Sequence, residues 1–115
     1  MRLKIPALIA ILSAASPALA AQPFDGEWTM SAATREGTCA VYTFEVGIVD
    51  GRIQTPAGVA ISGSGMVSPK GRVAVTFVAG SNTISASGQA SKATASGRWE
   101  APTLACSGSW SAQRR

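Results

Sequence analysis

The sequence predicts an all-β domain: a single small antiparallel up-and-down barrel, or barrel-like meander, of about eight strands with one disulfide. Three observations predict it. Apolar and polar residues alternate with period two in short segments that recur about every ten residues. Gly, Pro, Asn and Ser separate these segments, and nothing after residue 20 reads as a helix. The 115-residue chain also holds a single pair of cysteines, Cys39 and Cys106.

Residues 1–20, MRLKIPALIAILSAASPALA, read as an export signal. Arg2 and Lys4 give the positive start, an apolar stretch covers residues 5–12, and Ala18-Leu19-Ala20 fits the small-x-small rule for cleavage after Ala20. The apolar run is too short for a stable bilayer anchor. The expected product is a periplasmic or secreted domain over residues 21–115, without a stable membrane anchor after cleavage.

The strands then follow in order. Residues 27–31 form the first. Residues 40–49 are the clearest, with Tyr42, Phe44, Val46 and Ile48 alternating against Val41, Thr43, Glu45 and Gly47. Asp50-Gly51 is a tight-hairpin dipeptide, and residues 52–55 begin the return. Val59 and Ile61 mark a short strand ahead of a flexible Ser62-Gly63-Ser64-Gly65. Met66-Val67 and residues 72–78 flank the turn Ser68-Pro69-Lys70-Gly71. Val73, Val75 and Phe77 share one face, opposite Arg72, Thr76 and Val78. Gly80-Ser81-Asn82 turns the chain into residues 83–89, whose Thr83, Ser85 and Ser87 make a hydroxyl-rich outer face. The last strands, 93–100 and 105–112, are joined through Ala101-Pro102-Thr103-Leu104. Closure removes the exposed edges and lays the first strand beside the last. Asp25 and Glu27 then fall near Arg114 and Arg115.

All three tryptophans stand two residues after a glycine: Gly26-Glu27-Trp28, Gly97-Arg98-Trp99 and Gly108-Ser109-Trp110. Residues two apart on a strand share a face. Each Gly therefore makes room beside its Trp, or lets the strand bend where a small barrel curves. Large beside small is how a narrow barrel interior is filled. The alternative is an aromatic ligand wall made by Trp28, Trp99 and Trp110 with Tyr42 and Phe44. An eight-stranded barrel holds side chains or one small ligand, and a gap would fall at the Ala/Ser/Gly-rich residues 83–89.

Export gives the cysteines an oxidising compartment. A Cys39–Cys106 bridge would close a loop of roughly 68 residues and stabilise the fold by about 4 kcal/mol. Without Arg2 and Lys4 the balance is eight basic against six acidic residues, a net +2. The charges are unevenly spread. Residues 21–50 carry Arg35 against five carboxylates, and residues 51–115 carry seven basic residues against Glu100 alone. One reading is a basic face for an anionic partner, with Arg52, Arg72 and Arg98 as contacts beside the loop 57–65. The other is that acidic and basic strands meet when the sheet closes.

Enzyme chemistry finds little support. The absence of histidine excludes Ser-His-Asp and Cys-His arrangements and histidine-based zinc sites. SGSGMVSPKG lacks phosphate-loop spacing. Most carboxylates fall on polar faces or in turns rather than as a hydrolytic pair. The basic residues are not interleaved with exposed aromatics, which argues against nucleic acid as a partner. No metal or cofactor is expected.

The frame FDGEW at 24–28, VDGRI at 49–53, GRW at 97–99 and CSGSWSAQRR at 106–115 resembles small exported proteins of alphaproteobacteria. That likeness spans nearly the whole mature chain and implies no activity and no site residues. A broader likeness is to calycin-type barrels, the lipocalin and avidin group, whose first strand often opens with Gly-x-Trp. Periplasmic inhibitors of secreted metalloproteases are also similar, with a signal peptide, an early Gly-x-Trp, an eight-stranded barrel and one disulfide. This chain departs from them in its widely spaced cysteines and in a short lead, AQPFDG, for reaching into a protease cleft. The expectation is a non-enzymatic binding module for a protein partner, by fold analogy an inhibitor of an envelope enzyme. The alternative is a carrier of a small apolar ligand.

Overall fold

The computed structural model describes residues 22–56, 58 and 60–115. The expected signal at 1–20 lies outside the described residues, as do Ala57 and Val59 of the expected contact loop. Eight antiparallel strands, each beside its neighbour in sequence, close into a barrel. They are β1 (Gly26–Glu36), β2 (Tyr42–Val49), β3 (Arg52–Gln54), β4 (Ser62–Val67), β5 (Arg72–Ala79), β6 (Asn82–Ser91), β7 (Thr94–Ala101) and β8 (Cys106–Arg114). β1 pairs with β2 on one side and β8 on the other, so the ring is complete. No helix among the described residues is long and apolar enough to cross a membrane.

Two elements differ from the sequence reading. β1 does not stop at residue 31. Its inner positions continue through Ala32, and β8 pairs with it until a register shift between Thr34 and Glu36 leaves Arg35 as the bulged residue. The segment expected to be flexible, Ser62-Gly63-Ser64-Gly65, is strand β4 together with Met66 and Val67, and Ile61 precedes that strand rather than forming one. Its glycines answer to large neighbours. A Cβ on Gly63 would come 2.7 Å from the Phe77 ring, and one on Gly65 would run into the backbone of Ala74 and Val75. The turn Asp50-Gly51 takes positive φ at both residues, 53° and 76°, as a tight two-residue hairpin requires.

β3 is the shortest strand. It pairs with β2 over three positions and with β4 only at Arg52 and Met66. The Val67 N–H, donated to the Gly51 carbonyl at 2.7 Å, extends that seam by one bond.

The end carrying turns 50–51, 68–71 and 92–93, called lower here, is packed solid. Trp28, 2% exposed, fills it with Val46, Ile48, Val73, Val75 and Trp110, leaving a void of about 30 Å³. Phe24 folds underneath and accepts the Trp28 indole N–H on its carbonyl at 2.9 Å. The Arg114 guanidinium lies 5.1 Å from the Trp28 ring centroid and donates to the carbonyls of Pro23 and Lys92. Of the arginine–carboxylate pairs expected from closure, Arg115 meets Glu27 at 3.5 Å, and also Glu45 at 2.7 Å. Asp25 does otherwise. Its carboxylate accepts the backbone N–H groups of Asp50 and Gly51 at 2.7 and 2.9 Å and so holds the β2–β3 hairpin.

The two C-terminal Gly-x-Trp phrases are exchanged between neighbouring strands. Gly97 stands opposite Trp110, and Trp99 opposite Gly108. The Trp99 indole reaches past Gly108 and donates to the carbonyls of Ser109 and Ala33, both at 3.1 Å. Trp110 mirrors it, reaching past Gly97 to the carbonyls of Arg98 and Ser87 at 3.2 and 3.1 Å. Each glycine thus makes room for the tryptophan of the adjacent strand rather than its own. Gly26 belongs to neither pattern: its φ is 138°, and a Cβ there would approach Arg114, not Trp28.

Candidate functional site

At the upper end the inner positions shrink. Ala32, Ala79, Ala86 and Ala101 occupy the rows where the lower end carries valine, isoleucine and tryptophan. β3 ends at Gln54, below these rows, so Ile61 of the following loop supplies the wall between β2 and β4. The missing side-chain volume leaves an apolar cavity of about 190 Å³. Met30 and Phe77 border both this cavity and the small void beneath it. Phe44 meets Phe77 edge to face, with centroids 5.4 Å apart, a favoured aromatic geometry. The two rings and Met30 are therefore the floor.

The mouth is built from connections. Cys39, in the β1–β2 loop, is bonded to Cys106 at the start of β8, with Cα atoms 6.2 Å apart. This bridge forms part of the wall and fits an oxidising compartment. Leu104 projects from the short 3-10 turn Pro102–Leu104. Asn82 opens β6, and its Oδ1 accepts the Thr103 hydroxyl at 2.9 Å, tying the β5–β6 turn to the β7–β8 connection. No Asp, Glu, Lys or Arg lines the cavity among the described residues.

The proposed aromatic wall divides. Tyr42, Phe44 and Trp99 line the cavity, with Tyr42 exposed at the rim, whereas Trp28 and Trp110 belong to the packed lower half. Residues 83–89 contribute Ile84 and Ala86, at the place where a gap was expected. Arg52, Arg72 and Arg98 are exposed. Arg52 and Arg72 begin β3 and β5 at the lower end, two strands apart, whereas Arg98 lies on β7, four strands from Arg52. Arg98 lines a shallow outer groove with Arg35, Glu36 and Glu100, where charges of both signs meet. Sequence reasoning gave no cavity-lining role to Met30, Ala32, Ile61, Ala79, Asn82, Ala101 and Leu104. Only Asn82 carries a signal of its own, a polar side chain at the first position of a strand whose alternate residues turn inward.

The cavity lining offers apolar surface, the Asn82 amide and the Tyr42 hydroxyl. No three His, Cys, Asp or Glu side chains come together as metal ligands among the described residues. No protein-family model, curated protein or solved structure matches the chain.

Proposed function

We propose that this protein is an exported, non-enzymatic carrier of a small apolar ligand, acting in the periplasm or outside the cell, with the ligand held in the upper cavity. The observation that supports this reading is the apolar cavity of about 190 Å³ at the open end of an otherwise filled barrel. An apolar cavity of about 150 Å³ stays dry and holds one benzene, so the expected ligand has about one ring. A fatty chain is too large. The arrangement also agrees with the calycin likeness, in which a barrel interior is the binding space. Binding of toluene or ethylbenzene tests it by thermal unfolding. At ten times Kd a ligand adds about 1.4 kcal/mol, a Tm rise of about 6–10 °C for a domain of this size. No shift with any one-ring probe overturns the reading.

A protein partner is the second reading. Val41, Tyr42 and Leu104 are exposed apolar side chains, and the last two stand at the mouth. An inhibitor of an envelope enzyme would use this rim, because the three outward arginines do not form one face. A partner that binds equally well when the cavity is filled by Ala32→Leu favours this reading over the carrier.

A further inference from the structure

Resting on the carrier reading, we infer that Asn82 sets the specificity of the cavity and that its ligand is neutral and carries one hydrogen-bond-accepting oxygen beside its apolar body. The lining is hydrocarbon except at the mouth. There Asn82 is half-buried, and its Oδ1 is already engaged by the Thr103 hydroxyl. A primary amide has two donor hydrogens on nitrogen, and among the described residues nothing accepts from Asn82 Nδ2. Tyr42, the other polar group, stands further out, at 59% exposure. A ligand that fills the cavity displaces water from the mouth. If it is pure hydrocarbon, it leaves the amide unpaired, whereas a ligand with a carbonyl or ether oxygen at that end accepts the bond.

Charge decides the remaining class. An anionic head group would leave water for a site with no cation in its lining, which is unfavourable without a partner charge. A cationic group meets no carboxylate there and gains nothing from a donor amide. Neutral aryl ketones, esters and alcohols of one-ring size fit; benzoate-type acids do not.

The experiment compares ethylbenzene, acetophenone and benzoate by calorimetric titration of the disulfide-bonded protein and two variants. Asn82→Ala removes the amide. Asn82→Asp keeps an acceptor for Thr103 but offers no donor, so it preserves the mouth if the alanine variant loosens it. The expected result is that both variants weaken acetophenone about tenfold while ethylbenzene binds the alanine variant at least as tightly as the unaltered protein, a lost hydrogen bond read as an affinity ratio. Benzoate is expected to bind too weakly to measure in all three. Equal losses for acetophenone and ethylbenzene overturn the role of Asn82 and leave the carrier reading standing. Benzoate binding as tightly as acetophenone overturns the neutral class. If neither neutral probe binds the unaltered protein, the carrier reading falls, and this inference falls with it.

Discussion

Trp99 packs against Gly108 of the neighbouring strand so closely that a Cβ at residue 108 would lie 3.0 Å from the indole nitrogen and run into the Ala33 carbonyl. Trp110 stands opposite Gly97, where a Cβ would run into the Ser87 carbonyl, and it presses on Gly88 of β6, where a Cβ would come 2.6 Å from the Trp110 ring. Two indoles and three glycines interlock across three strands, β6, β7 and β8. Stability should depend on these glycines far more than on Gly47.

Gly88→Ala and Gly108→Ala are expected to lower stability by about 1–3 kcal/mol or more, the range for overpacking a filled site. Gly47→Ala is the control. Its nearest neighbour is the Glu27 side chain, 3.5 Å away, and its φ is outside the left-handed region, so the change should stay near zero. Urea midpoints of the three variants check the order.

Reducing or removing the disulfide acts on the whole barrel, because the bridge spans a sequence separation of 67. Cys39→Ser with Cys106→Ser should cost about 4 kcal/mol and lower Tm by about 15 °C or more. Oxidised protein that melts at the same temperature as the double variant would show the bridge to be energetically idle.

Arg114 closes the lower end over Trp28. Arg114→Ala removes the cation from the ring face and two hydrogen bonds to carbonyls, with an expected loss of about 1–3 kcal/mol. Arg115→Ala should lose under about 1 kcal/mol, since its pairs with Glu27 and Glu45 are half exposed. Denaturant titration at low and high salt separates them. Only the Arg115 effect is expected to fade with salt.

Ala32→Leu adds three carbons at a cavity-lining position. Each newly buried methylene contributes about 0.8 kcal/mol, so a gain of up to about 2 kcal/mol is expected together with loss of one-ring ligands. A variant that still binds ethylbenzene would place the ligand elsewhere.

Much of the barrel was legible because period two is a strong signal where one face is fully apolar. Tyr42, Phe44, Val46 and Ile48 defined β2, and Val73, Val75 and Phe77 defined β5, from alternation alone. β4 was read as flexible because its inner residues are Gly63 and Gly65, which look like a linker until Phe77 is known to lie against them. The same limit hid the cavity. Ala32, Ala79, Ala86 and Ala101 come from four strands, and only the register places them in adjacent rows. Asp25 was assigned to an arginine because charge was the visible property, whereas its position beside the hairpin made it an acceptor for backbone N–H groups.

A ring of strands opens where it is joined most thinly, and here that is β3 against β4, with one paired position. Free energies of local opening follow the number of bonds and packed side chains released. Amides of Ser62–Val67 should therefore exchange with solvent well before those of β1 and β8, which pair over eight positions. The disulfide is bonded to the thick side of the ring, at the end of the β1–β8 pair. The molecule is hinged on one flank and latched lightly on the other, at Arg52 and Met66 below the cavity, where Ile53 and Val67 join the packed lower half.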